Sequence, residues 1–309
     1  MPEGTTDARI ERAFDQGQIL RTHVMRPTWH FVAPADIRWM LELTAPRVHS
    51  RMAPYQRHLG LDRVTHVRAA AIFERALGDG RHLTRAELGT HLARRGIVTD
   101  GIRLAHLAMY AELEGVICSG PRRGREFTYA LLAERAPEAQ RLSRDEALAE
   151  ITLRYFRAHG PATVRDFVWW SGLTTADAKR GLEMNRARRE VVEGRTYWTI
   201  GRSPVAAPRQ SGVHLLPIYD EYLVAYRDRD AVPHAASTIE TRPRVFVTFQ
   251  HALLIDGQVA GTWKIVRRAG DLLVDVIPRR RLTAPERRAV ADVSQRCGRF
   301  LDPSAQIFE

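Results

Sequence analysis

An α+β fold is predicted: tandem winged helix-turn-helix units followed by a small C-terminal β-barrel-like domain. Three observations carry this. A helix–helix–helix–hairpin order occurs twice, with Thr84 to Thr163 and Glu87 to Asp166 both 79 residues apart. Each of these pairs spells Thr-x-x-acid, the signature of a capped helix start. After about residue 203 the apolar spacing changes to short alternating runs broken by turn residues, which read as strands.

The elements follow in chain order. In residues 1–60, Asp7–Asp15 reads as a short helix, Ile19–Met25 and Thr28–Val32 as strands around Arg26-Pro27, and Pro34–Leu43 as a helix. That order is the back half of a winged helix, without the two leading helices that would complete its core. Residues 61–135 form a whole unit. Val64–Leu77 is its first helix, Thr84 caps a second, and Thr99 caps a third that carries Ile102, Leu104, Leu107 and Ala108. Strands Val116–Cys118 and Phe127–Ala130 flank the turn Ser119–Gly124. Residues 141–202 repeat this with Glu146–His159, a helix capped by Thr163, another capped by Thr174, and a hairpin over Val191–Thr199. Ser203–Gly212 is a polar linker. In residues 211–309, strands are expected at Val213–Pro217, Val245–Phe249, Leu253–Ile255, Val259–Val266 and Leu272–Ile277. Asp256-Gly257 is a hairpin turn, and Pro285–Leu301 closes the chain as an amphipathic helix.

Composition excludes several classes. The 309 residues are 44% hydrophobic and 27% charged, which is globular rather than disordered. No run of eighteen apolar residues offers a membrane span, and the N-terminus does not read as a secretory signal. Cys118 and Cys297 are too few for a Cys-based zinc site or a disulfide framework, so a reducing cytoplasm is expected. The twelve histidines form no metal motif, so neither a metal nor a cofactor is expected. No Gly-rich phosphate loop, serine nucleophile elbow or kinase signature occurs. A monomer is expected.

Charge gives the partner class. Basic residues outnumber acidic ones 47 to 36, and 45 of the 47 are arginine. The net charge of +11 attracts polyanions, and its spread suits a long surface against duplex DNA: +2 over 1–60, +3 over 61–135, +4 over 141–202 and +3 over 203–309, with −1 from Glu138 in the gap between the units. An Arg-rich proteome would leave the same arginine bias. A winged helix places its third helix in a groove and its hairpin on the backbone. Candidate DNA contacts are therefore Arg103 on the third helix of the first whole unit and Arg122, Arg123 and Arg125 on its wing. The second unit adds Lys179, Arg180, Arg186, Arg188 and Arg189. His23 and His30 could touch DNA or move a proton; as strand histidines they could equally be partly buried. In Pro217–Arg229, Asp220 or Glu221 could act as a base, and the same acids could instead pair with Arg227 and Arg229 to hold the β domain.

Several blocks fall in an order similar to one family. They are Val24-Met25-Arg26-Pro27-Thr28-Trp29-His30-Phe31-Val32 with Asp36 and Trp39, Leu216-Pro217 through Arg229, and Asp256–Trp263. With the tandem units, the chain resembles the AlkZ/YcaQ family of winged-helix DNA glycosylases over essentially its whole length. The resemblance implies three winged helices and a β-barrel forming a concave DNA-binding surface. It also implies excision of N7-alkylated purines, including those in interstrand crosslinks. Such a purine already carries positive charge, so the enzyme needs mainly to orient water and stabilise a cationic sugar. The family does this with a Gln-apolar-Gln or Gln-apolar-Asp motif placed early in its first winged helix. Gln16-Gly17-Gln18 has the outer letters only: its middle residue is Gly, and it immediately precedes the Arg21-Thr22-His23 strand. No catalytic residue carries over. The expectation is a glycosylase lacking roughly the first 50 residues of that unit, or a DNA-binding protein or transcriptional regulator without catalysis.

Overall fold

In a computed structural model, residues 4–201, 212–228, 250–268, 271–302 and 307–308 are described. The chain divides into two compact units, one formed by Glu11–Gly201 and the other by the first ten residues with Arg202–Glu309.

The chain opens with α1 (Asp7–Asp15), β1 (Leu20–His23), β2 (Trp29–Val32) and α2 (Ile37–His58). The β1–β2 pair is an antiparallel hairpin with Leu20 opposite Val32 and His23 opposite Trp29. It is shorter than the sequence suggests because Met25 adopts φ 63 and turns the chain before Pro27. Helix α2 is much longer than the expected 34–43 and runs through Pro46 and Pro54. Packing outweighs the proline penalty: Ala45 and Val48 bury against Met109 and Leu113.

The next block is α3 (Arg63–Leu77), β3 (Leu83–Thr84), α4 (Arg85–Ala93), α5 (Arg103–Leu113), β4 (Ile117–Ser119), β5 (Thr128–Leu131) and α6 (Leu132–Arg135). Its three strands lie in the order β3-β5-β4. Phe73, Leu77, Leu88, Leu92, Leu107 and Ile117 form one buried core beneath them. Thr84 and Glu87 make a reciprocal capping box on α4, as the Thr-x-x-acid spacing implies. Thr99 does not cap α5. That helix starts at Arg103 after Ile102, with no side-chain cap.

The repeat follows as α7 (Arg144–His159), α8 (Val164–Ser171), α9 (Thr175–Met184), β6 (Arg188–Val192) and β7 (Arg195–Thr199). Capping boxes at Ser143, Thr163 and Thr174 start its three helices. A single bridge, Ala162 to Trp198, stands where β3 meets β5 in the preceding block. Helices α7 and α9 approach closely because residue 181 is glycine: a Cβ there would collide with Thr152.

The remaining elements are β8 (Val213–Leu216), α10 (Glu221–Val224), β9 (Ala252–Ile255), β10 (Gln258–Arg268), β11 (Asp271–Pro278), α11 (Ala284–Leu301) and β12 (Ile307–Phe308). They form a five-stranded sheet in the order β12-β11-β10-β9-β8. No pairing closes it into a barrel among the described residues. Asp256 and Gly257 turn β9 into β10 with φ of 52 and 75, as the Asp-Gly pair implies. Thr283 and Glu286 cap α11, which packs Val290 and Val293 against the sheet. The expected strand at Val245–Phe249 and most of the linker Ser203–Gly212 lie outside the described residues. Cys118 and Cys297 are free, and burial pushes the Cys118 thiol up to about 12.

Candidate nucleic-acid interface

Within Glu11–Gly201, two hairpins and the helices before them carry most of the expected contacts. The β4–β5 hairpin is tied down in the loop between its strands. The Arg122 backbone N–H donates to Asp15 Oδ1 at 2.7 Å, and its guanidinium pairs with Glu11 at 2.7 Å and lies 5.1 Å from the Phe127 ring. Arg123 pairs with Glu87 at 2.8 Å and donates to the His82 carbonyl. Arg125 is exposed beside Gly124, and its guanidinium has no hydrogen bond or ion pair among the described residues. Arg103 lies at the start of α5 but donates to the carbonyls of Val98 and Leu59, so it clasps the loop before its helix.

The repeat is freer. Arg180 pairs with Asp145 at 2.5 Å, and Arg188 donates to the Gly201 carbonyl at 2.6 Å. The side chains of Lys179, Arg186 and Arg189 are exposed, without a hydrogen bond or ion pair among the described residues. They gather on α9, on the turn after it and on β6. The β6–β7 hairpin has every residue of β6 exposed, including Val191 at 65%. It projects both guanidinium and apolar groups.

His23 and His30 occupy different settings. His23 is buried, and its Nδ1 lies 2.5 Å from Glu112 Oε2. The other carboxylate oxygen, Oε1, accepts the Trp29 indole N–H at 3.3 Å. Glu112 itself is only 1% exposed. His30 Nε2 is 3.4 Å from Arg26 Nη2. Burial, reinforced by the Arg26 charge, pushes the His30 imidazole down to about 4, so it is neutral near pH 7 and presents no cation to a phosphate. Glu112 is not among the residues singled out from the sequence. The signal was present: it follows Ala108 and Met109 by four and three residues, which puts it on the buried face of α5.

A family model described as AlkZ-like DNA glycosylase matches residues 3–300. The chain belongs to the AlkZ-like DNA glycosylase family. It is 28% identical over 286 residues to an interstrand DNA cross-link repair glycosylase of Streptomyces sahachiroi, covering 87% of this chain and 76% of that protein. The solved structure of Streptomyces sahachiroi DNA glycosylase AlkZ shares the fold, with a TM-score of 0.71 at 23% identity over 97% of this chain and 84% of that one.

In this AlkZ-like chain the remaining sequence candidates are placed as follows. Gln16-Gly17-Gln18 lies in the turn between α1 and β1, where Gly17 has φ 78 and the two amide side chains bond each other at 3.3 Å. Asp220 caps α10 by accepting the Tyr222 N–H at 2.9 Å, and the Tyr222 hydroxyl donates to the Gly257 carbonyl at 3.0 Å. Asp220 thus caps its own short helix, and Tyr222 ties that helix to the β9–β10 turn. Arg229 lies outside the described residues. No cluster of metal-ligating side chains and no helix long and apolar enough to cross a membrane occurs among the described residues.

Proposed function

We propose that this protein binds double-stranded DNA through winged-helix modules at residues 61–135 and 141–202 and excises N7-alkylated purines, including those in interstrand crosslinks, in the reducing cytoplasm. The observation that carries this reading is the family match, which spans both modules and the C-terminal sheet. The cross-link repair activity of the Streptomyces sahachiroi relative supports the crosslink assignment. In each module the third helix and its hairpin supply the duplex contact, with Arg125, Lys179, Arg186 and Arg189 as phosphate partners. Arg122, Arg123, Arg180 and Arg188 would reach phosphate only by leaving their present partners, and Arg103 mainly braces its helix. His30, held neutral near pH 7, offers no charge to a phosphate.

A second reading is a winged-helix DNA-binding protein or regulator without glycosidic cleavage. The observation behind it is that Gln16-Gly17-Gln18, which matches only the outer letters of the family motif, has Gly between its glutamines and lies in an exposed turn with the two amides bonded to each other. One experiment separates the two: incubation with duplex DNA containing N7-methylguanine, followed by detection of the free base. Base release above the spontaneous rate supports the glycosylase. Tight, salt-sensitive binding with no release leaves the binder, and absence of binding at low salt removes both readings.

A further inference from the structure

The second half of α2 carries a row of cations that the winged-helix contacts do not use. The helix packs Ala45 and Val48 against Met109 and Leu113. At 3.6 residues per turn, Arg47, Arg51 and His58 point away from that contact, within ~40° of one another. All three are exposed, as are Arg57 beside them and Arg63 at the start of α3. The guanidinium groups of Arg47, Arg51, Arg57 and Arg63 have no hydrogen bond or ion pair among the described residues. The acids on and beside α2 are engaged elsewhere. Asp36 pairs with Arg154 and Glu42 with Arg141, both at 2.6 Å. Asp62 caps α3, and Glu114 lies 2.9 Å from His49. From Pro46 to His58 the sequence contains no acid.

Like charges at i, i+4 repel along a helix, and the helix dipole favours cations only in the last turn. Arg57 and His58 lie in that turn, but Arg47 and Arg51 do not. Such a row costs the isolated protein stability and is favourable only against an anion. We propose that the free face of α2 is a duplex-tracking surface, separate from the third helices and hairpins, on which Arg47, Arg51 and Arg57, extended by Arg63, take phosphates along one DNA strand. The proposal rests on the DNA-binding reading above and adds a contact surface to it. Two features select this occupant. From Arg47 to His58 the helix rises ~16 Å, and a strand presents one phosphate per ~3.4 Å of duplex axis, so the row spans about five of them. In addition, α2 touches α5 of the first module and α7 of the repeat, so the row lies on a helix shared by the two modules proposed to hold the duplex.

The test is a salt titration of affinity for unmodified duplex DNA with the full-length protein, joined to hydroxyl-radical footprinting. The wild type is expected to bind with a steep salt dependence. Arg47→Ala, Arg51→Ala and Arg57→Ala combined should make the log–log slope shallower by roughly 2–3 and weaken binding about tenfold or more at low salt, alike on all sequences. Protection should vanish from one stretch of the footprint and persist over the rest. Alanine is the strongest helix former and its introduction relieves the i, i+4 repulsion, so the thermal midpoint should hold or rise. Arg47→Lys, Arg51→Lys and Arg57→Lys combined keep the charges and should keep most of the slope. An unchanged slope and footprint in the alanine variant, with the wild type still binding, would overturn the surface and leave the DNA-binding reading standing. That is also the result expected if the row serves an acidic protein. A lysine variant with the slope of the alanine variant would show that charge is not what acts, and would overturn it too. A wild type that binds no duplex at low salt removes the DNA-binding reading and this surface with it.

Discussion

Glu112 on α5 holds His23 on β1 at 2.5 Å, a bond that joins residues 89 apart in the chain inside a site closed to solvent. The same carboxylate receives the Trp29 indole N–H. One side chain of the first whole helical module therefore fixes the hairpin that precedes it. Removing it leaves a buried imidazole and an indole N–H unsatisfied. Glu112→Ala should destabilise the protein by about 3 kcal/mol, read as a lower midpoint in urea unfolding. Glu112→Gln, which still offers a carbonyl to Trp29, should lose less. An unchanged midpoint in Glu112→Ala would mean the pair contributes nothing net.

Gly172 ends α8 with φ 73, and a Cβ there would collide with the Met25 carbonyl. Both terms act against any larger residue, since the left-handed conformation disfavours a side chain and the neighbour is rigid backbone. Gly172→Ala should cost about 2–4 kcal/mol and lower the thermal midpoint. A Gly172→Ala protein as stable as the wild type would show that the β1–β2 turn moves freely away from α8.

His66 on α3 is buried against the Tyr110 ring at 4.4 Å, and neither of its ring nitrogens has a hydrogen-bond partner among the described residues. Burial, then His49 and His106, push it down to about 4 from the ordinary 6.5, with only Asp62 opposing. The sign follows from proton uptake. Between pH 6.5 and 4 the unfolded chain binds a proton that the folded chain refuses, so stability falls as pH drops through that window. The loss is on the order of 3 kcal/mol, complete near pH 4 and absent above pH 7. His66→Phe should flatten this limb of the stability–pH curve, as measured by denaturant unfolding at pH 7 and pH 5. An equal pH slope in both proteins would assign the acid sensitivity elsewhere.

The guanidinium groups of Arg186 and Arg189 are exposed without partners among the described residues, while that of Arg188 bonds the Gly201 carbonyl. Reversing all three to glutamate should weaken DNA binding alike on all sequences and make the salt dependence shallower by roughly 2 in log–log slope. Titration at several salt concentrations measures both. An unchanged slope would place the duplex on another surface.

What the linear sequence determined is what acts over a few residues. Thr84–Glu87, Thr163–Asp166 and Thr174–Asp177 start helices because donor and acceptor are three residues apart. Asp256-Gly257 makes its hairpin because both residues accept positive φ. The 79-residue repeat and the family blocks were legible for the same reason: each is a local pattern recurring in order. Tertiary structure decided the rest. The run of α2 through two prolines is set by burial against α5. The closure of Arg103 onto Leu59, the pairing of Arg122 with Glu11 and the seating of His23 on Glu112 join groups 44 to 111 residues apart. Whether an arginine is a free phosphate partner or a structural clasp depends on which carboxylate or carbonyl the fold delivers to it, and no local periodicity encodes that distance.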